Sequence, residues 1–367
     1  MKIATLTLNP AVDRTMYCGK NLKFGALNRA VAPSVTTHGG KGTNVSCVFK
    51  ILGIESTAYG FIGGDNGDLF LKLLEPYNIK TDFTRTKCNS RMNFKIISGD
   101  GEPTEFNEAG GPIIKTEKED ILNKIKNIIG ETDFLFMGGS VPPGIEKSIY
   151  RDIINLGGDK TKFIIDCDGE ALKLCMNNKK KPYIIKPNQF ELEQFTGKKF
   201  DLENNFYIEI EKVKEEAKKI YKETGAIVLC TLGEYGGLYC GPEGIYYLRS
   251  PKVEVRGFTG AGDTFLAAFC AVWSGLLDLF KKPPSEKGVP SADGGGCRQI
   301  PAQHKIPQPP SNAAAFATPF SEGGLGAQKS LAFAVAASAA KVTKPGTEFA
   351  SFGEMIEMYG KITKENG

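Results

Sequence analysis

The chain has 367 residues, with 46 Lys and Arg against 42 Asp and Glu for a net charge of +4, and 41% hydrophobic side chains. This is ordinary globular usage, which excludes a wholly disordered, collagen-like or disulfide-scaffold protein; a charge spread this thinly, with no basic stripe, excludes nucleic acid as the default partner. Nine cysteines without a CxxC pair, and only two histidines, point to reduced buried thiols in a cytosolic protein rather than a metal cluster.

The N-terminal MKIATLTLNPAVD is interrupted by Asn9-Pro10 too early for a signal peptide, and no apolar run reaches the roughly 18–20 residues that span a membrane. Lys2–Leu8 reads as a buried strand. Thr43–Gly53 carries Val45, Val48, Phe49 and Leu52 at helical spacing, with Gly53 as a C′ stop. A strand over Ser56–Ile62, a helix over Asp68–Tyr77 and an amphipathic helix over Asp120–Ile129 follow. Strands over Asp133–Met137, Lys162–Asp166 and Tyr183–Lys186 then alternate with helices over Ile145–Leu156, over Gly169–Met176 and from Gln189. Glu209–Thr224 is a charged helix with Val213, Ala217 and Ile220 turned inward. Ala226–Leu232 is a buried strand, Gly237–Cys240 and Ile245–Leu248 an antiparallel pair, and Gly262–Leu277 and Gln328–Val342 apolar helices. Such alternation predicts an α/β fold, a mostly parallel sheet covered on both faces.

Two stretches, 14–37 and 89–107, read as strands without intervening helices. Arg91–Ile97 alternates polar and apolar side chains, as a half-exposed strand does. Together they predict a second small sheet, a lid over the C-terminal edge of the main one, where open α/β sheets place their sites. Residues 281–325 hold eight of the 20 prolines, only six Val, Ile, Leu or Phe, and no period. They read as a flexible Pro/Gly-rich insertion in a single domain made of 1–280 and 326–367.

Three turns that open helices carry candidate chemistry. In GFTGAGDTF (257–265), Gly260, Ala261 and Gly262 precede a long apolar helix. Small residues let the backbone approach a ligand, and free N–H groups at a helix start bind anions. Asp263 then stands where a carboxylate can take a proton from an attacking hydroxyl; an N-cap aspartate after a turn is the plain alternative. HGGKGTNVS (38–46) repeats the glycine-to-helix pattern without the GxxxxGK[ST] spacing of a P-loop, and could be a tight turn with Asn44 in a solvated first turn. KPNQFELE (186–193) sets Asn188 and Glu191 three apart at a strand-to-helix junction. That pair suits Mg²⁺ held largely through water, or an ordinary N-cap with Glu191 at N3.

With NPAVD at 9–13, these motifs in this order resemble the ribokinase-like sugar kinases, the PfkB family, across the chain apart from 281–325; the likeness resumes with AFAVAASAAKVTKPGTEF at 332–349. The resemblance implies a three-layer α/β/α sandwich with a β lid, and ATP-dependent phosphorylation of a sugar hydroxyl. Carried over by position, it implies Asp263 as catalytic base and the amides of Gly260, Ala261 and Gly262 as an anion hole. Lys186, Asn188, Thr231, Gly233, Gly236 and Gly262 fall where the family holds ATP. Glu191, with Asn188, falls where it governs Mg²⁺ through water, and Asp13, Gly39, Gly40 and Asn44 where it holds sugar hydroxyls. A cytoplasmic homodimer joined through the lids is also implied, with no nucleic-acid or membrane partner.

Arg91, Asn93 and Lys95 alternate onto one face of the lid strand, with Lys41 as a further polar group. A solvated strand face would account for the cations; in the family context they read as binders of a substrate phosphate. SRMNFKI followed by TEFNEAGG (104–111), with GGSVPPG (138–144) and DCDGEAL (166–172), is similar to the 1-phosphofructokinase branch. That likeness implies phosphorylation of the 6-hydroxyl of fructose 1-phosphate, with Ser140 in contact with substrate. Gly138 and Asp168 stand where serine is common, and neither is expected to touch the chemistry. Tagatose-6-phosphate kinases resemble the same motifs. A non-catalytic sensor of sugar phosphates is the rival from another class, against which the presence of Asp263 and Glu191 speaks. In the family a short loop and the start of a helix connect the regions that flank 281–325. The segment is therefore a tolerated loop or an aberrant, frame-shifted stretch. Deleting 285–323 and measuring Tm and KM for ATP separates the two.

Overall fold

The computed structural model describes residues 1–19, 22–99, 103–158, 160–279 and 326–365; the predicted insertion at 281–325 lies outside the described residues. The chain first forms β1 (Ile3–Thr7), β2 (Ala11–Tyr17), β3 (Val35–Gly39), α1 (Lys41–Ile51), β4 (Thr57–Gly63) and α2 (Gly64–Leu74). Then come β5 (Lys80–Thr86), β6 (Arg91–Ile97), β7 (Pro103–Asn107), α3 (Lys115–Ile129), β8 (Phe134–Gly138), α4 (Ile149–Leu156), β9 (Lys162–Asp166), α5 (Gly169–Met176) and β10 (Ile184–Ile185). The remainder is α6 (Gln189–Thr196), α7 (Leu202–Thr224), β11 (Ile227–Thr231), β12 (Gly237–Gly241), β13 (Gly244–Leu248), α8 (Ala261–Trp273), α9 (Gly326–Val342) and α10 (Phe352–Glu365).

The main sheet has the order β13-β12-β11-β10-β9-β8-β1-β4-β5. From β11 to β5 every pairing is parallel, while β12 and β13 add an antiparallel hairpin at one edge. Side chains alternate cleanly between its faces. β8 sends Phe134 and Phe136 to one side and Leu135 and Met137 to the other; β11 does the same with Ile227 and Leu229 against Val228 and Cys230. Helices α1, α2, α8, α9 and α10 cover the first face, and α3 to α7 the second. Each such side chain, fully buried, contributes about 1.5–3 kcal/mol. The result is the expected three-layer sandwich.

The second sheet is the expected lid, ordered β3-β2-β6-β7. Its strands are shorter than the stretches 14–37 and 89–107, because between β2 and β3 only Cys18 and Ala30 pair among the described residues. Helices α3 and α7 begin earlier than apolar spacing predicts. Glu117 accepts the Ile114 amide at 2.9 Å and so caps α3 ahead of its apolar period, whereas in α7 Asp201 accepts the Asn204 amide at 3.2 Å and caps a first turn that kinks at Asn205 (φ −130°, ψ 37°) before the main helix. Conversely α4 starts only at Ile149, after the turns that follow Pro142 and Pro143. Two elements, β5 and α10, have no counterpart in the sequence reading. As an edge strand, β5 keeps a polar sequence, KTDFTRT, that hides its pattern.

Candidate active site

All the parallel strands end along one edge, and the site is built from those ends and from the helices that start above them. β9 ends at Asp166, β10 leads into Lys186, and β11 ends at Thr231, which bridges to Asn188. The Thr231 strand end therefore brings the loop with Gly233 (φ 58°) and Gly236 (φ 109°) beside the KPN turn; both glycines lie in the region that side chains avoid.

Asp263 occupies the first turn of α8, entered through Gly260 at φ 83°. It is buried, and its Oδ2 accepts a 2.7 Å hydrogen bond from Nδ2 of Asn44 on α1. Burial pushes the carboxyl up and the nearby Asp166 charge adds to this, so its pKa stands at about 6 even against Asn44, Lys41 and Lys186. A carboxylate poised there is suited to general base work near neutral pH.

The amides of Gly260 and Gly262 make no hydrogen bond among the described residues, as the first amides of a helix generally do not. Ala261 differs from expectation: its N–H is turned back onto Phe258 O at 3.2 Å, closing the turn, so the anion-facing donors are those of its neighbours. A Cβ on Gly262 would come 3.3 Å from Lys186 Nζ, so a side chain there would have to displace that ammonium by a few tenths of an ångström.

Below the turn lies a buried charge cluster. Lys41 Nζ donates to Asp166 Oδ1 at 2.7 Å and to Glu191 Oε1 at 3.3 Å. Lys186 Nζ lies 3.0 Å from Asp166 Oδ2, an ion pair whose angle falls short of a hydrogen bond. Burial favours the neutral acid at Asp166, but the two lysines outweigh it and hold its pKa below the usual value. For Lys41, burial works against the charge and the carboxylates more than restore it, so its pKa rises. The Lys41 ammonium stands between Asp166 and Glu191, close enough to Asp263 to feel that charge.

Of the two readings of Asn188 and Glu191, the N-cap is the one seen directly. Asn188 Oδ1 accepts the Glu191 amide and Glu191 Oε2 accepts the Asn188 amide, each at 2.8 Å, an N-cap with its reciprocal partner. The second Glu191 oxygen faces the cluster through Lys41. Among the described residues no three His, Cys, Asp or Glu side chains gather into a direct metal cage. These donors fit a Mg²⁺ held mainly by nucleotide phosphates and water, which is how that ion is usually bound.

On the lid side, Asp13 of β2 is buried and accepts Asn93 Nδ2 at 2.9 Å. Burial raises its pKa, with Lys95, Asn93 and Arg91 opposing. Gly39 is the residue that makes room for it: a Cβ there would sit 2.6 Å from the Asp13 carboxylate. Gly40 (φ 142°) then turns the chain into α1 and Asn44. Arg91, Asn93 and Lys95 do share the inward face. Arg91 donates to the carbonyls of Asn9 (3.1 Å) and Glu108 (2.9 Å), Lys95 donates to Thr259 beside the Gly260 turn, and Lys95 also pairs with Glu105 at 3.2 Å. Ser140 receives Asn9 Nδ2 at 3.1 Å, which puts it under the same lid edge.

Sequence reasoning missed Asp166, Asn9 and Thr259 as parts of this constellation. A findable signal existed for Asp166: a carboxylate that closes a buried strand run, FIID, on the site edge of the sheet.

The family model described as pfkB family carbohydrate kinase matches residues 6–279. The chain belongs to the pfkB carbohydrate kinase family. It is 35% identical over 283 residues to a 1-phosphofructokinase of Borreliella burgdorferi, covering 76% of this chain and 88% of that one. To the Escherichia coli 1-phosphofructokinase it is 32% identical over 266 residues, 72% and 82% of the two chains. Among solved structures, the E. coli phosphofructokinase-2 in complex with substrates and products shares the fold at TM-score 0.77 and 22% identity, over 99% of this chain and 100% of that one. Ribokinase of Thermotoga maritima does so at TM-score 0.68 and 19% identity, over 98% and 99%. This pfkB kinase is thus a phosphotransferase that uses ATP and an alcohol group of a carbohydrate. Among the described residues no helix is long and apolar enough to cross a membrane.

Proposed function

We propose that this pfkB kinase transfers the γ-phosphoryl group of ATP to the 6-hydroxyl of fructose 1-phosphate, giving fructose 1,6-bisphosphate and ADP. One observation carries the reading: the Asp263 carboxylate stands beside free turn amides, under a lid whose inner face offers Arg91 and Lys95. The sugar phosphate sits on these two cations, and Asp13, Asn44 and the Gly39-Gly40 backbone orient its hydroxyls. Asp263 takes the proton of the 6-hydroxyl as that oxygen attacks phosphorus, and the Gly260 and Gly262 amides receive the developing charge. Lys186, Asn188, Thr231 and the Gly233–Gly236 loop hold the nucleotide. Lys41, bound to Asp166 and Glu191, shields the charge that passes between nucleotide and sugar. Glu191 and Asn188 would hold, through water, a Mg²⁺ that accompanies the nucleotide, and the ion would neutralise polyphosphate charge. Lys95, tied to Thr259, joins the lid to the turn, so lid closure and water exclusion are coupled to the site.

The substrate is tested by coupled ADP release with MgATP and either fructose 1-phosphate or tagatose 6-phosphate. A higher kcat/KM for fructose 1-phosphate is expected; faster turnover of tagatose 6-phosphate would replace the assignment. Asp263 must be ionised to accept a proton, so kcat/KM should fall as pH drops through about 6. A rate that stays flat across that value would count against this base.

The assembly we propose is a homodimer through the lids, in a cytoplasmic enzyme. Phe24, Leu27 and Val31, between β2 and β3, and Phe106 of β7 stand exposed on the lid side, an apolar group that a second lid would cover. Sedimentation should give a dimer for the parent and a monomer for Leu27→Asp; a monomeric parent would dismiss it. The described cysteines are all free thiols, in keeping with a reducing compartment.

A further inference from the structure

Lys341, on α9, is 0% exposed, among helix neighbours that include Ala339 and Ala340. It makes no ion pair among the described residues, whereas the other deeply buried lysine, Lys186, is neutralised by Asp166. Its Nζ donates to the carbonyl of Gly346 at 2.8 Å. The carbon next to that nitrogen, Cε, lies 3.7 Å from where a Cβ on Gly260 would stand. The Gly260–Gly262 turn is therefore held between two lysines, Lys341 behind its first glycine and Lys186 at its last.

The surroundings stitch the same two segments together. Arg256 and Gly257 both donate their amides to Val342 O, at 2.7 and 3.2 Å. Gly257 packs so closely on the Lys344 and Gly346 backbone that a Cβ would meet it at 2.8 Å, and Phe349 would lie 3.1 Å from a Cβ on Gly260. Burial pulls the Lys341 pKa down to about 7; Glu348 opposes this and Lys95 adds to it. Burying an amine with one carbonyl partner is costly, and a methionine would fill the same space without that cost. Packing alone does not call for a lysine here.

We infer that Lys341 is a positioning residue of the phosphoryl-transfer site: it seats an amino group behind Gly260 and locks the loop at Gly346 beneath the turn that holds the transferring group. The inference rests on the kinase reading above. It is tested in the full chain with Lys341→Met, which keeps the volume, and Lys341→Ala, which opens a cavity. Lys341→Met should melt close to the parent yet lose about tenfold to a hundredfold in kcat, with KM for the sugar phosphate little changed. Lys341→Ala should regain part of its lost kcat in ethylammonium chloride and none in tetramethylammonium chloride at equal ionic strength. Parental kcat in Lys341→Met would overturn the inference, as would losses that follow melting temperature alone with no amine response. If the parent prefers another sugar phosphate, only the substrate reading fails, and the variants are compared on the preferred acceptor. Calorimetric titration with MgATP gives a readout independent of any acceptor: weaker binding in Lys341→Ala, recovered by ethylammonium, supports the inference, and parental affinity in both variants opposes it.

Discussion

Asp263→Asn should lower kcat by about a hundredfold to ten-thousandfold while ATP and the sugar phosphate still bind, the range that general base catalysis supplies. The substitution is nearly isosteric. The carbonyl oxygen of the introduced amide can keep accepting Asn44 Nδ2, so the 2.7 Å contact that anchors the first turn of α8 persists. What disappears is the basic oxygen whose pKa burial and Asp166 raise to about 6. Removing a charge that burial disfavours should also leave stability unchanged or slightly higher. The measurement is kcat by ADP release beside calorimetric affinities for MgATP and fructose 1-phosphate. A variant with kcat within about tenfold of the parent would exclude Asp263 as the base.

Asp166→Asn should destabilise the fold by about 3–5 kcal/mol, because breaking a buried ion pair leaves its partner charged and unpaired. The Asp166 side chain is 4% exposed and holds Lys41 at 2.7 Å and Lys186 at 3.0 Å. Lys41 keeps Glu191, but Lys186, itself 4% exposed, has no second carboxylate within ion-pair distance among the described residues. The pH dependence has a definite sign. Asp166 is held below the usual carboxylate value when folded, so its contribution is present above the unfolded pKa and lost as pH falls through the folded one. The gap between parent and variant in chemical denaturation should therefore narrow in acid. A second readout is kinetic: removing a negative charge that raises Asp263 should move the acid limb of kcat/KM to lower pH. Unchanged denaturation midpoint together with an unmoved acid limb would show that the cluster does neither job.

The two substitutions differ in how readable their targets were. Asp263 announces itself, because a Gly-Ala-Gly turn before an apolar helix is a local pattern with a local physical cause. Asp166 looks like the last residue of one more buried strand. Its importance comes from two lysines 125 and 20 positions away, brought to it by the parallel order β8-β9-β10 and by α1. The lid was legible because Arg91–Ile97 alternates, and alternation survives in any half-exposed strand. β5 was not, since an edge strand with polar side chains lacks that contrast. The partners of Lys41 were hidden for a related reason. Its neighbours Gly39 and Gly40 belong with Asp13, yet a lysine side chain is long enough to reach carboxylates on the far side of the turn.

By itself, the sequence determined the α/β architecture, the separate lid and the turns at 39–44, 186–191 and 260–263, because these depend on periodicity and on backbone conformations that only a few residue types permit. Membership of the pfkB kinases follows from the same residues. Only the tertiary structure decided the electrostatics: which lysine neutralises which carboxylate, why Asp263 is poised at about 6, and that Lys341 lies behind Gly260 with no ion pair among the described residues. The physical reason is that desolvation and charge pairing act over a few ångströms in space, between residues that the chain keeps far apart in order.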